Sequence, residues 1–386
     1  MADNDNPLGT ATGGSNGSPG LSGGTSSAGA AVQPIVDEQL APLTARIDRE
    51  GYYPEQVLRA LGEAGAYRHH LASQNPAGVC DLAAAIDAMR VVSQQCLSTG
   101  FMMWCQNALG WYLENSVNSA LKGEQLPKVA GGTMLGGTAL SNPMKHFSGI
   151  EPLQLKAETV AGGVVINGTL PWVSNLGTGH CFAAICQVEQ DPARNLMVLV
   201  PCDNENLGLT QLAHFSGMEG TGTYACQFKG VFVPDELVIA DEVGPYIQRI
   251  KAGFILLQAG MAAGLVESCI GLMDEVESVL GHVNCYLDDR PADLLDEVEA
   301  LKGDVAALAS DPFNDSKEYI QDVIHARLFA SDLALRAANA AMLHTGARGY
   351  LIDAPAQRKL REAYFVAIVT PAIKHLRKEL DMLAAN

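Results

Sequence analysis

The sequence predicts a multidomain α and β protein with an N-terminal helical domain, a middle antiparallel β domain of barrel or sandwich type, and a C-terminal helical bundle. Three observations predict it. The chain has 386 residues, more than the roughly 250 to 300 that a single hydrophobic core organises. Its apolar periodicity is helical, then strand-like, then helical again. The punctuation changes with it, to closely spaced Gly, Pro and Asn between short β-rich runs from Gly131 to Ala240.

Each part has its own reason. Residues 1–32 are rich in Gly, Ser, Thr, Ala and Asn; with almost nothing to bury they cannot offset the entropy of ordering and are expected to be disordered. In residues 33–130, Ile47, Val57, Leu58 and Leu61 fall near helical spacing, and long apolar stripes follow from Cys80 to Leu121. In residues 131–240, HCFAAICQV, LMVLVPC and YACQFKGVFVP read as strands. Gly162-Gly163 and Asn167-Gly168 supply the positive backbone torsions of tight hairpin turns. Trp172 lands just past a strand, where Pro171 bends the chain and Ser174 and Asn175 follow. An indole beside a hydroxyl and an amide is a platform for a flat polar ring, or a plug for the end of a sheet. Residues 241–386 return to the helical period in three or four long segments, which make a bundle.

Composition excludes several functions. There are 25 basic and 43 acidic side chains and a net charge of -18; with no basic cluster to reverse the sign locally, neither nucleic acid nor an anionic membrane is an expected partner. The nine cysteines are scattered without a CxxC pair or His/Cys metal spacing. That set reads as reduced, mostly buried thiols in the cytoplasm, with no metal site. No apolar run is expected to reach the ~18 residues of a membrane span, and the N-terminus lacks a charged-then-apolar signal pattern. Helical stripes that are apolar on more than one face predict packing between subunits.

Four motifs in order carry a resemblance. They are Gly-Gly-Val-Val-Ile-Asn-Gly-Thr-Leu-Pro-Trp-Val-Ser-Asn at 162–175, Phe-Lys-Gly-Val-Phe-Val-Pro at 228–234, Ala-Gly-Met-Ala-Ala-Gly at 259–264, and Gly-Ala-Arg-Gly-Tyr at 346–350 followed by Arg358 and Arg361. Each has a plainer use as a turn, a close helix contact or a helix stop. Together, over residues 35–386, they resemble the acyl-CoA dehydrogenase superfamily. The resemblance implies that the C-terminal part is a four-helix bundle and that the cofactor is FAD or reduced FMN. Trp172, Val173, Ser174 and Asn175 would form the loop lying against the flavin. Ser141 and Ser148 would stand where the family places two flavin-contacting hydroxyls, with His146 an addition between them. The loop of Gly346 and Gly349 would present backbone amides to the flavin pyrophosphate. A homodimer or homotetramer is implied, with Arg290 the one candidate for the arginine that reaches a neighbouring subunit's flavin.

The same resemblance exposes a departure. The family's dehydrogenation needs a glutamate beside the substrate to remove the α-proton of an acyl thioester while hydride passes to flavin. The two positions the family uses fall on Phe254 and Ile368, and neither side chain can accept a proton. Glu267 is the alternative carboxylate. Three readings follow: a flavin-dependent oxidoreductase of acyl thioesters with a relocated base; a two-component monooxygenase, acting on a substrate such as an aromatic and taking reduced flavin from a separate flavin reductase; or a non-catalytic member. The histidine that such monooxygenases often place near flavin has His344 and His375 as loose counterparts.

Overall fold

The computed structural model describes residues 27–211 and 213–385. Helices α1 (Ser27–Ile35), α2 (Thr44–Glu50), α3 (Glu55–Glu63), α4 (Leu82–Gln95), α5 (Leu97–Asn115) and α6 (Leu126–Ala130) come first. The expected disordered tail therefore needs correction at its end. Residues 27–32 are helical because Ala28 and Val32 are buried in the core; residues 1–26 lie outside the described residues. Local chemistry sets the helix ends. α2 stops at Gly51, whose left-handed backbone releases the chain. Asp81 caps α4 by accepting from the Ala84 amide at 2.9 Å.

Among the described residues all strands fall between Gly136 and Ala240: β1 (Gly136–Thr138), then, after the short helix α7 (Ser141–Phe147), β2 (Lys156–Val160), β3 (Gly163–Val173), β4 (Cys181–Val188), β5 (Asn195–Pro201), β6 (Leu207–Thr210), β7 (Tyr224–Pro234) and β8 (Val238–Ala240). They form one sheet ordered β6-β7-β3-β2-β4-β5-β8, with β1 beside β4. The sheet is mixed, not purely antiparallel as the turn signals imply, because β4 runs parallel to both β1 and β2. A second correction concerns Asn167-Gly168. Of the two signals the first lies in a hairpin turn, Ala161-Gly162, whereas Asn167 and Gly168 lie inside β3. There they face a bulge in β7: Ile166 pairs with Val231 but Asn167 with Lys229, and the extra residue, Gly230, is left-handed with its amide donating to Asn167 Oδ1 at 2.8 Å. Gly168 is required because a Cβ would sit 2.4 Å from the Gln154 carbonyl.

The remaining helices are α8 (Val243–Leu256), α9 (Ala259–Asn284), α10 (Pro291–Ala309), α11 (Lys317–Thr345), α12 (Pro355–Ile368) and α13 (Ile373–Ala385). Pro291 and Pro355 open α10 and α12, where proline's missing N–H costs nothing. The small residues at 259–264 let α4 press against α9: a Cβ on Gly260 would lie 2.6 Å from the Ile86 carbonyl, and one on Gly264 2.2 Å from that of Arg90. In consequence the helices before and after the sheet share one hydrophobic core, which Ala183, Ile185, Met197 and Leu199 join from one face of the sheet, while the other face keeps its own. Val243–Asn284 is also long and apolar enough to cross a membrane, a run the sequence reading overlooked. Most of its apolar window, 83%, is buried inside the protein, so it serves as a core element.

Candidate functional site

The rim of the sheet is shaped by a slip in register. Leu170 pairs with Cys226 and Val173 with Tyr224, so Pro171 and Trp172 fall in the irregular step. Val173 returns to the sheet core, whereas Trp172 stands out, 62% exposed, with the ring of Phe215 edge-on at 6.2 Å. Behind it runs a ladder of hydroxyls: Ser174 and Thr223 at 2.7 Å, Thr223 and Thr221 at 2.8 Å, and Thr221 donating to the Met218 carbonyl at 2.7 Å. Asn175 takes a different role. Its left-handed backbone is fully buried, its Oδ1 accepts from Tyr53 at 2.7 Å and its Nδ2 donates to the Gly136 carbonyl at 2.6 Å. Burial pushes the Tyr53 phenol well above its ordinary value, which keeps it a donor. Asn175 therefore bolts the rim to the N-terminal helices, and its side chain is buried away from the open face of Trp172.

Helices close the other side. Ser98 of α5 donates to Met218 Sδ at 3.6 Å. Arg361 of α12 grips Asp48 of α2 with two bonds, at 2.8 and 2.6 Å, and donates to the Ser216 carbonyl at 2.9 Å. The Phe215 loop is thus clamped between α2, α5 and α12, beside Trp172. One turn into α5, Phe101 meets Phe365 of α12 edge-on at 4.6 Å and stacks on Trp104 at 5.6 Å. Glu362 fixes these helices to each other. It is buried, pairs with Lys359 at 2.9 Å and accepts from the Leu97 amide at 3.3 Å, placing a carboxylate at the positive end of α5.

Phe254 and Ile368 occupy different surroundings. Phe254 is 2% exposed, edge-on to Trp104 at 5.1 Å and nearly parallel to Tyr112 at 6.3 Å. Ile368 is the last residue of α12 and is 66% exposed. A hydrogen-bond relay holds the linker that follows it: buried Arg327 donates to Gln258 Oε1 at 2.7 Å and to the Val366 carbonyl at 2.6 Å, Gln258 donates to the Thr370 carbonyl at 2.9 Å, and Thr370 Oγ1 lies 2.9 Å from Ser141 Oγ. Ser141 thereby reaches the same region as Ile368. Burial lowers Arg327 to about 10, so it stays protonated at neutral pH.

Ser148 is committed elsewhere. Its hydroxyl donates to Glu379 at 2.7 Å and lies 2.6 Å from His375 Nε2, and Glu379 also pairs with Lys251 at 3.0 Å. Burial pushes the Glu379 carboxyl up, but His375, Lys251 and Ser148 outweigh it and hold it at about 2. His146 packs against Phe147 and reaches the Glu151 carbonyl at 3.3 Å. Glu267 is paired with Arg90 at 2.5 Å and Lys302 at 3.2 Å. His344 is buried against the Asp289 carbonyl at 2.9 Å.

The predicted cofactor residues therefore lie at three places: Trp172 and Ser174 beside the loop that Arg361 holds, Ser141 against Thr370 beyond the end of α12, and Gly346 and Gly349 between α11 and α12, in a loop tied to α2 by Arg49 and Asp353 at 2.8 Å. Arg290 lies 3.6 Å from Glu277 in a shallow cleft of about 350 Å³ between α9 and α10. That cleft shares no lining residue with the Trp172 assembly and brings no reactive pair together. Phe101, Trp104, Phe365 and Thr223 were missed in the sequence, although the spacing of Phe101, Trp104 and Tyr112 at three and eight residues along one helix was the available signal.

Comparisons with known proteins agree with this architecture. Residues 27–133 match the acyl-CoA dehydrogenase N-terminal domain. A probable acyl-CoA dehydrogenase of Bacillus subtilis (strain 168) is 24% identical over 87% of this chain and 91% of its own. Isovaleryl-CoA dehydrogenase of Oryza sativa is 25% identical over 86% of this chain and 84% of its own. Among solved structures, butyryl-CoA dehydrogenase from Megasphaera elsdenii superposes with a TM-score of 0.82 at 17% identity, covering 96% of this chain and 100% of that one. A glutaryl-coenzyme A dehydrogenase in complex with glutaryl-CoA gives 0.82 at 19% identity, over 96% and 97%.

Proposed function

The chain belongs to the acyl-CoA dehydrogenase superfamily, and on that premise we propose that it is a flavin-dependent oxidoreductase of an acyl thioester whose α-proton is not removed at either usual position. The observation that carries the reading is Trp172, an exposed indole at the point where the sheet rim meets α5 and α12. The residues fit the group. The open indole face offers area to a flat ring, and Ser174, linked to Thr223 and Thr221, has a hydroxyl that can turn toward a ligand. FAD bound there would supply two-electron chemistry. The amides around Gly346 and Gly349 suit a pyrophosphate, and helical stripes that are apolar on more than one face favour a homodimer or homotetramer. Nine free thiols fit a reducing compartment such as the cytoplasm.

The chain's carboxylates limit the chemistry. Phe254 and Ile368 hold no proton, and Glu267, Glu362 and Glu379 are each committed to buried cations. This favours a second reading, a monooxygenase that takes reduced flavin, FMN or FAD, from a reductase and needs no such base. One experiment separates them. Protein reconstituted with FAD is mixed anaerobically with acyl-CoA thioesters, and protein given reduced flavin is tested for oxygen consumption dependent on a second substrate. Bleaching by a thioester supports the oxidoreductase, substrate-dependent oxygen uptake supports the monooxygenase, and failure to bind flavin refutes both.

A further inference from the structure

Four rings run without a break from the rim into the bundle: Phe365 to Phe101 at 4.6 Å, Phe101 to Trp104 at 5.6 Å, and Trp104 to Phe254 at 5.1 Å between centroids. Trp104 is the central member, and its indole N–H donates to the Phe254 carbonyl at 3.4 Å, which fixes the ring's orientation. A methylene chain passing between two rings needs a carbon–carbon contact distance on each side, about 7 to 8 Å in all. None of these spacings allows it.

We propose that Trp104 sets the size limit of the substrate, so that the site takes only a compact acyl group. The proposal rests on the thioester reading above and adds to it that the reacting carbons lie between positions 254 and 368. From there an acyl chain can continue inward past Phe254 or outward past Ile368. The inward path meets Trp104 and Phe101, both buried, and the outward path leads to solvent, where added methylenes gain nothing. Removing the indole would open a space of the order of the ~150 Å³ engineered cavities that bind a benzene-sized ligand.

The test is a binding series with butyryl-, octanoyl- and dodecanoyl-CoA on the flavin-reconstituted full chain, read by calorimetry. A buried methylene is worth about fourfold in affinity. For the unmodified protein the expected affinity is flat or falling beyond four carbons; a rise of about fourfold per methylene overturns the proposal without any variant. In Trp104→Ala the preference for octanoyl- over butyryl-CoA is expected to rise at least tenfold, and in Trp104→Leu, the change less disruptive to folding, it moves the same way by less. Variants that stay folded and bind flavin with an unmoved preference overturn the size limit and leave the thioester reading standing. If no thioester of any length binds while flavin does, the thioester reading fails and the size limit with it.

Discussion

Ile368→Glu is the most direct perturbation of the site. Ile368 is 66% exposed at the end of α12, so a carboxylate there stays hydrated and keeps an ordinary acidity. Its structural cost is confined to the unfavourable end of the helix dipole, about 0.3 to 1 kcal/mol. The corresponding change on α8, Phe254→Glu, differs in kind. It removes a ring packed against Trp104 and Tyr112, worth about 3 to 5 kcal/mol in large-to-small core substitutions, and buries a carboxyl without a partner. If residue 368 stands beside the α-carbon of a bound thioester, the new carboxylate supplies a general base. Its contribution is about 10² to 10⁴ in rate, or roughly 3 to 5.5 kcal/mol of barrier. The assay is anaerobic stopped-flow bleaching of the reconstituted flavin by butyryl-CoA, with the rate expected to rise with pH as the glutamate ionises. A folded Ile368→Glu protein that binds flavin normally and bleaches no faster than its parent would refute the placement of residue 368 and the account of the missing base.

Two further predictions follow from the geometry. Trp172→Ala should leave the melting temperature nearly unchanged, since the indole packs mainly against Phe215, while weakening flavin binding about tenfold, the ~1.4 kcal/mol expected of a stacked ring; equal flavin affinity by fluorescence titration would exclude the indole as a wall. Glu379→Gln strands Lys251 in the interior and should cost about 3 to 5 kcal/mol by denaturant unfolding. The native carboxyl titrates at about 2 against an ordinary 4.5. Its stabilisation is therefore complete above about pH 4.5 and is lost as pH falls toward 2. The variant's stability curve should be flatter through that window, and an unchanged slope would show that Glu379 is not held ionised.

The alternation of helical and strand-like periods was enough to order the three parts of the chain, because periodicity is a local property. It could not show that the outer helical parts share one core. That depends on Gly260 and Gly264 meeting the backbone of α4 from about 170 residues away in sequence, a contact with no local trace. Asn167-Gly168 was misread for a related reason: a positive torsion serves a turn or a strand facing a bulge, and only the partner strand, through Gly230, decides which.

At the site, residue type determined what could be read. Trp172 could be singled out because an indole after a proline near a strand's end serves as a ring platform or as a plug, and Phe254 and Ile368 because neither holds a proton in any fold. Hydroxyls and carboxylates were not, since their roles depend on their partners. Ser148, Asn175 and Glu267 have the chemistry of ligand-binding groups in sequence. Folding spends that chemistry on Glu379, Tyr53 and Arg90, because a polar group taken out of water must be satisfied by whatever the tertiary structure brings beside it.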